Sequence, residues 1–424
     1  QLTATTLDLL ARQVALGSLR IDQPSASVHR QADGQIDLSA WLPAAAGPID
    51  ASTATPPSVE PAPTPAAPVV QAPSTPAEPV DTDIKVGLLL PLSGQQGPLG
   101  RAMLQAADMG LFDVAGDDFK LIPRDTATPG GPAAAAREAL ADKADIVIGP
   151  LFGAELKQAA VPVVAARVPM VSFSNDNSQA QSGVYVLGIT PESQVARVVA
   201  YAGSQGVKRF AIMTPNNAFG RIVLAAYQES VVKSGGTISQ VTFYDPKSTD
   251  LTQPVREMAD AYKRSGFDAL MIPEGGQRLR AFAAMLPAFE MPTGLVRLLG
   301  TAQWQDPAIA TEPALAGGWF AAVAPEKFQN FSQRYTSLYG VAPDPRAAIV
   351  YDAVTLAVAL AQSKAGGDFT QTRITDPSGF AGVTGVFRLD ANGKTERGLA
   401  VLEVGSGTFN VKDPAPTTFA AVIN

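Results

Sequence analysis

From Ile84 to Gly94 the chain reads IKVGLLLPLSG, apolar at every position from Val86 to Leu90 except Gly87. A strand with one wet face alternates apolar and polar residues, so this unbroken run predicts a strand covered by helices on both faces. Pro91 closes it, and Ser93 and Gly94 open a small polar loop. Beyond Pro98 the apolar residues Leu99, Ala102, Met103, Ala106 and Met109 recur at helical spacing, with Gly110 and Gly116 as stop signals. In open sheets built from such strand, loop and helix units, ligands bind at the carboxyl ends of the strands. Ser93 and Gly94 therefore stand either at a binding site or in a plain turn.

The same alternation continues along the chain. Strands are predicted at 84–90, 119–123, 145–149, 168–173 and 184–188, with helices near 98–112, 131–142 and 153–166, which makes one doubly wound lobe. A second series has strands at 208–213, 238–244, 268–272, 295–300 and 317–322 and helices near 217–234, 252–265 and 276–288. Helices near 325–339 and 346–363 and strands near 383–389 and 398–404 follow, so the chain is expected to cross between lobes more than once. The expected fold class is α/β, two doubly wound lobes with a central cleft. Such a hinged cleft is a device for closing around a small ligand.

Ahead of the lobes the pattern changes. Residues 44–83 hold ten prolines, five acidic residues and no Lys or Arg, a composition that cannot bury a core and predicts a disordered Pro-rich linker. At about 3.1 Å per residue such a segment reaches on the order of 120 Å, enough for a tether as well as for a passive spacer. Before it, 16–30 and 35–42 read as two strands joined at Asp33-Gly34, a hairpin signal. The expected organisation is a strand-rich segment 1–43, the linker 44–83, a first lobe 84–190 plus 323–366, a second lobe 191–322 plus 367–411, and a tail 412–424.

Composition narrows the function. The 424 residues are 46% hydrophobic with a net charge of −7, but only three bases stand against nine acids before Ile84, so the α/β part is close to neutral. There is no Lys/Arg run, which argues against nucleic acid as a partner. Cysteine is absent, which removes disulfides, thiolate metal sites and cysteine nucleophiles. The sequence opens at Gln1 with no basic and apolar signal region, so a processed or truncated N-terminus is expected. Catalytic residues, cofactors and metal ligands are all expected to be absent. The sole histidine, His29, lies outside the α/β part, and neither a G-x-S-x-G elbow nor a G-x-x-x-x-G-K loop is present. Gly94, Gly97 and Gly100 do not have the dinucleotide-binding spacing.

The order LLLPLSG, RDT at 124–126, IVIGPLF at 146–152, VPMVSFS at 168–174 and YDAV at 351–354 resembles the type I periplasmic solute-binding proteins of the leucine-binding class. GPLFGAEL at 149–156, VSFSND at 171–176, VYVLGITPESQ at 184–194, TPNNAFG at 214–220, LLGTAQW at 298–304 and GGWFAA at 317–322 are similar to the penicillin-binding protein activators. The resemblance implies a noncatalytic periplasmic protein that regulates peptidoglycan synthesis through contacts with a penicillin-binding protein, tethered to the outer membrane through a region upstream of Gln1. The alternative it implies is the substrate-binding component of an ABC transporter, with a permease as partner and a branched-chain amino acid or similar small molecule as ligand. One departure bears on this choice. Leucine-class binders present small hydroxyl residues after the third strand, where this chain has Leu151, Phe152 and Gly153.

By position at strand ends, the candidate ligand-binding residues are Ser93, Phe152, Ser172 and Ser174 on the first lobe. On the second they are Asn217, Phe219, Glu274, Gln303 and Trp304. Hydroxyls, amides and one carboxylate suit a zwitterion, and the aromatic rings cover its apolar part. Each has a plainer explanation: Asn217 as a helix cap, Phe219 as a staple, Trp304 as core. Glu274 stands out because a carboxylate beyond an apolar strand is costly unless solvated or paired. Asp125 is read as fixing its own loop, and Tyr351 and Asp352 as core, cap or hinge residues at the start of a helix.

Overall fold

The computed structural model describes residues 2–8, 13–19, 83–114, 119–364 and 366–419. Two strands, β1 (Leu2–Asp8) and β2 (Gln13–Leu19), precede the α/β part. The expected Asp33-Gly34 hairpin and, apart from Asp83, the 44–83 linker lie outside the described residues.

The first lobe runs β3 (Ile84–Leu90), α1 (Gly97–Val114), β4 (Phe119–Asp125), α2 (Gly131–Ala141), β5 (Ile146–Ile148), α3 (Gly153–Ala166), β6 (Met170–Ser172) and β7 (Val184–Val186). Its strands pair in parallel in the order β4-β3-β5-β6-β7. The unbroken apolar run has the expected cause. Val86, Leu88 and Leu90 pack into one core with Met103 of α1, while Leu89 faces the other side with Ala135, Ala139 and Leu156 of α2 and α3. Both faces of β3 are dry.

The second lobe follows as α4 (Pro191–Ser204), β8 (Arg209–Pro215), α5 (Ala218–Lys233), β9 (Thr237–Tyr244), α6 (Thr252–Ser265), β10 (Ala269–Met271), α7 (Gly276–Ala288), β11 (Arg297–Gly300), α8 (Pro307–Ala310) and β12 (Trp319–Ala322). Helix α4 is absent from the expected list. Its signals are nonetheless present: Thr190 caps it through a bond from Ser193 N, Pro191 occupies its first turn, and Val195, Val198, Val199 and Ala202 form its buried stripe.

After β12 the chain returns to the first lobe through α9 (Pro325–Tyr339), α10 (Ala347–Ala361), α11 (Gln371–Ile374) and a small meander, β13 (Phe380–Gly382), β14 (Gly385–Leu389) and β15 (Thr395–Arg397). It then adds β16 (Ala400–Val404) and β17 (Phe409–Asp413) antiparallel to the second sheet, whose order is β17-β16-β12-β11-β10-β8-β9. The chain therefore passes between the lobes three times. This corrects the expected division at 367–411. Ile374, Phe380, Phe387 and Leu389 belong to the first lobe's core, and only β16 and β17 join the second sheet.

Every residue of α10 is buried, and it lies against α1. Gly110 allows this contact, since a Cβ there would lie 3.3 Å from the Tyr351 carbonyl oxygen. The glycine is a packing position inside α1, not the stop signal its residue type implied. On α10, Asp352 is fully buried and accepts bonds from Val383 N at 2.7 Å, Thr384 N at 3.0 Å and the Thr384 hydroxyl. Arg397 faces the same turn. It donates to the Thr384 hydroxyl and to the Leu187 carbonyl, and its guanidinium stacks over Phe387. Burial pulls the Arg397 pKa down to about 10, opposed by the Asp352 carboxylate. This buried group ties α10 to the first and third interlobe passages, where Leu187 and Gly398 lie.

Candidate functional site

The loops at the carboxyl ends of the two parallel sheets carry most of the expected residues, and the structure sorts them by what each side chain already does. In the first lobe Ser93 is exposed and bonds to Asp125, whose carboxylate also accepts from Leu92 N and Ala127 N, both at 2.9 Å. Although desolvation opposes it, this set of donors holds Asp125 below the usual carboxylate range. Asp125 is thus a clasp between the β3 and β4 loops.

Ser172 and Ser174 are corrected more firmly. Both are buried; the Ser172 hydroxyl donates to the Pro150 carbonyl at 2.8 Å and accepts from Ser174 N at 3.1 Å. The Ser174 hydroxyl accepts from Asp176 N at 3.0 Å. These hydroxyls shape the loop after β6 from inside. Phe152 is half-buried, caps α3 with its backbone and packs on the first lobe's core.

Two first-lobe residues at the same loops, Glu155 and Thr126, were not singled out from sequence. Glu155, at the third position of α3, receives the Phe152 backbone N–H in the manner of a capping box, and the Thr126 hydroxyl donates to it at 3.3 Å. Burial pushes its carboxyl above the ordinary value of 4.5, with the bonds from Thr126 and Phe152 pulling back. A pKa raised on folding gives stability that is complete below the unfolded value and is lost as pH rises through the folded one. Glu155→Gln is therefore expected to melt higher than the parent at about pH 7, with the difference closing toward about pH 4. Paired melting curves across that range check it.

In the second lobe Asn217 caps α5 by accepting from Gly220 N at 2.9 Å, and Phe219 is half-buried against that lobe's core. Trp304 is wholly buried, with its indole N–H on the Ile272 carbonyl at 3.2 Å and its ring seated where a Cβ of Gly300 would stand. It is core, not a cover for ligand. Trp304→Ala should lower the unfolding free energy by about 3–5 kcal/mol, read by denaturant titration, and leave the strand-end polar groups in place.

Glu274, Gly275 and Gln303 come together: Gln303 is exposed and lies against Gly275, where a Cβ would be 3.0 Å from its own Cβ. Glu274 is mostly shielded and pairs at 3.6 Å with Arg278, one turn along on α7. Arg278 is itself anchored by donating to the Ser248 carbonyl at 2.9 Å and the Pro246 carbonyl at 2.7 Å. Burial raises the Glu274 pKa, while Tyr244 and Arg278 restrain it. The Tyr244 hydroxyl, buried beside Glu274, lacks a hydrogen bond of regular geometry, and burial together with Glu274 pushes its pKa upward. Tyr244 and Arg278 escaped sequence reading because Tyr244 looks like one more apolar strand residue. Arg278 marks itself only by its four-residue spacing from Glu274.

Among the described residues no group of three or more His, Cys, Asp or Glu could hold a metal ion, and no helix is long and apolar enough to cross a membrane. What the two rims offer is noncovalent: a carboxylate, a guanidinium, a hydroxyl, an amide and two aromatic rings.

Comparison with known proteins agrees with this architecture. Solved structures of the same fold include a protein of Rhodospirillum rubrum described as a branched-chain amino acid ABC transporter, with TM-score 0.70 and 20% identity over 78% of this chain and 99% of that one. The substrate-binding protein LivJ of Streptococcus pneumoniae, in complex with isoleucine, has TM-score 0.56 and 19% identity over 79% and 100%. A solute-binding protein of an R. palustris ABC transporter, in complex with benzoate, has TM-score 0.56 and 19% identity over 80% and 98%. Among curated proteins, an uncharacterized protein of Rickettsia prowazekii, RP748, is 21% identical over 178 residues, 42% of this chain, and the match spans about half of that protein, 48%. The profile of the periplasmic binding protein family matches residues 83–408, most of the sequence and both lobes, and the chain belongs to that family.

Proposed function

We propose that the chain is a noncatalytic solute receptor of the periplasm, the substrate-binding component of an ABC transporter, whose lobes close on a small molecule held between their strand-end loops. The observation that carries this is the group of Glu274, Arg278 and Tyr244: a shielded carboxylate of raised pKa, an anchored guanidinium at the start of α7 and a buried hydroxyl held only loosely by Glu274. Polar groups converging at strand ends are what a small-ligand site needs, and a buried hydroxyl with only a loose bond is costly unless something completes it. A solute with a donor for Glu274 and an acceptor for Tyr244 does so. The test is a thermal-unfolding screen of the full chain against isoleucine and benzoate at millimolar concentration. Ligand at about a hundred times its dissociation constant adds roughly 2.7 kcal/mol, so one of the two classes should raise the midpoint.

A second reading is that of a penicillin-binding protein activator, working through protein contacts and tethered to the outer membrane. Two observations favour it: Ser172 and Ser174 serve their own loop, and the acidic Pro-rich segment 44–83 has the composition of a long spacer. Under this reading neither solute shifts the midpoint. Stimulation of a peptidoglycan synthase then survives Glu274→Ala but falls when 44–83 is shortened.

A further inference from the structure

A wide concavity lies away from the strand-end rim. It is a groove of about 1450 Å³ on the flank of the hinge. One wall is α4 and α5 of the second lobe, with a floor of Ala196, Ala200 and Ala226; the other is the 375–397 segment of the first lobe, with Lys394 on it. Since small-molecule sites run to about 1,000 Å³, a groove of this size takes something longer, such as an extended peptide.

Its polar groups are unevenly satisfied. Among the described residues, six buried side-chain atoms have no hydrogen-bond partner, and three of them belong to residues lining this groove: Asn177 Oδ1, Glu192 Oε2 and Arg397 Nε. Arg397 is only 6% exposed. Asn177 and Glu192 are half-buried. Both residues line the groove. Both are acceptors, and Glu192 carries a charge. Across the groove Lys394 is exposed and has no carboxylate within ion-pair distance among the described residues, in contrast to the neighbouring Arg388–Glu396 and Lys233–Glu229 pairs.

We propose that this groove is a second ligand site, for a short zwitterionic peptide whose ammonium is taken by Glu192 and Asn177 and whose carboxylate is taken by Lys394. The small floor residues admit an extended backbone, and the two charged ends match the free termini. Asn177 and Lys394 belong to the first lobe and Glu192 to the second, so the bound peptide bridges the lobes and biases their angle. A ligand that prefers one angle shifts the equilibrium between angles by its differential affinity.

The test is isothermal titration of the full chain with tetra-alanine at low salt, beside N-acetyl-tetra-alanine amide, which lacks both charges. Tetra-alanine is expected to bind saturably and the blocked peptide not to bind. Glu192→Ala and Lys394→Gln, both outside the core, are each expected to weaken binding by about tenfold, the scale of one partly shielded charge contact. Glu274→Ala should leave it unchanged, which separates this groove from the strand-end site. The proposal is overturned by an absence of saturable heat, by equal binding of the blocked peptide, or by loss of binding in Glu274→Ala with Glu192→Ala unaffected.

Discussion

Asp352→Ala is expected to lower the unfolding free energy by about 3–5 kcal/mol, because it leaves the buried Arg397 guanidinium without its counter-charge. The carboxylate also accepts from Val383 N and Thr384 N, so its removal orphans two buried backbone donors in the turn between β13 and β14. Burial raises the Asp352 pKa, with the Thr384 bonds and the Arg397 charge opposing it. The double change Asp352→Leu with Arg397→Met should recover much of the loss, since an apolar pair of similar size needs no desolvation. Urea titration of the three variants reads this. A single-variant cost below about 1 kcal/mol would sink the view that this pair holds the interlobe passages together.

Glu274→Ala is the second large effect, this time on affinity. Removing a shielded carboxylate that bonds a charged ligand group costs about 1.5–3 kcal/mol, or roughly ten- to a hundredfold in dissociation constant. Ser174→Ala should behave in the opposite way. Its hydroxyl supports Asp176 N, so stability falls by about 1 kcal/mol while affinity stays within about threefold. Calorimetry with whichever solute raises the midpoint compares the two variants directly. Equal loss in both would return Ser174 to the ligand's contact set.

The fold was legible where burial and periodicity coincide. Val86 to Leu90 is apolar because both faces of β3 are covered, and the helices at 252–265, 276–288 and 325–339 begin and end where periodicity and the residues at their ends place them. Short or half-wet elements were not legible: β17 is an exposed edge strand, and β13 and β15 have three residues each. The lobe assignment of 371–397 turns on which core Phe380 and Phe387 join, a long-range fact that local pattern does not carry. At the site, position along a strand told which loop a residue enters but not which way its side chain turns. Glu274 was found because its charge is costly to hide. Ser172, Ser174 and Trp304 pass for binding residues in sequence, and only their bonds to Pro150, Asp176 and Ile272 reveal inward roles. Tyr244 reads in sequence as one more inward-facing residue of a strand that alternates polar and apolar positions.

The central claim is that the lobes close on a small solute, and because the chain has no cysteine a pair of labels can be placed cleanly. Asn175 and Gln277 are both exposed, the one in the loop after β6 and the other in the first turn of α7. Energy transfer between dyes on Asn175→Cys and Gln277→Cys is expected to rise when isoleucine or benzoate is added to saturation, and the isoleucine response, which needs a carboxylate for the ammonium, to be lost when the doubly labelled protein also carries Glu274→Ala. Transfer that does not change with either solute, in a protein that still unfolds cooperatively, would contradict closure and leave the surface, not the cleft, as the working part of the molecule.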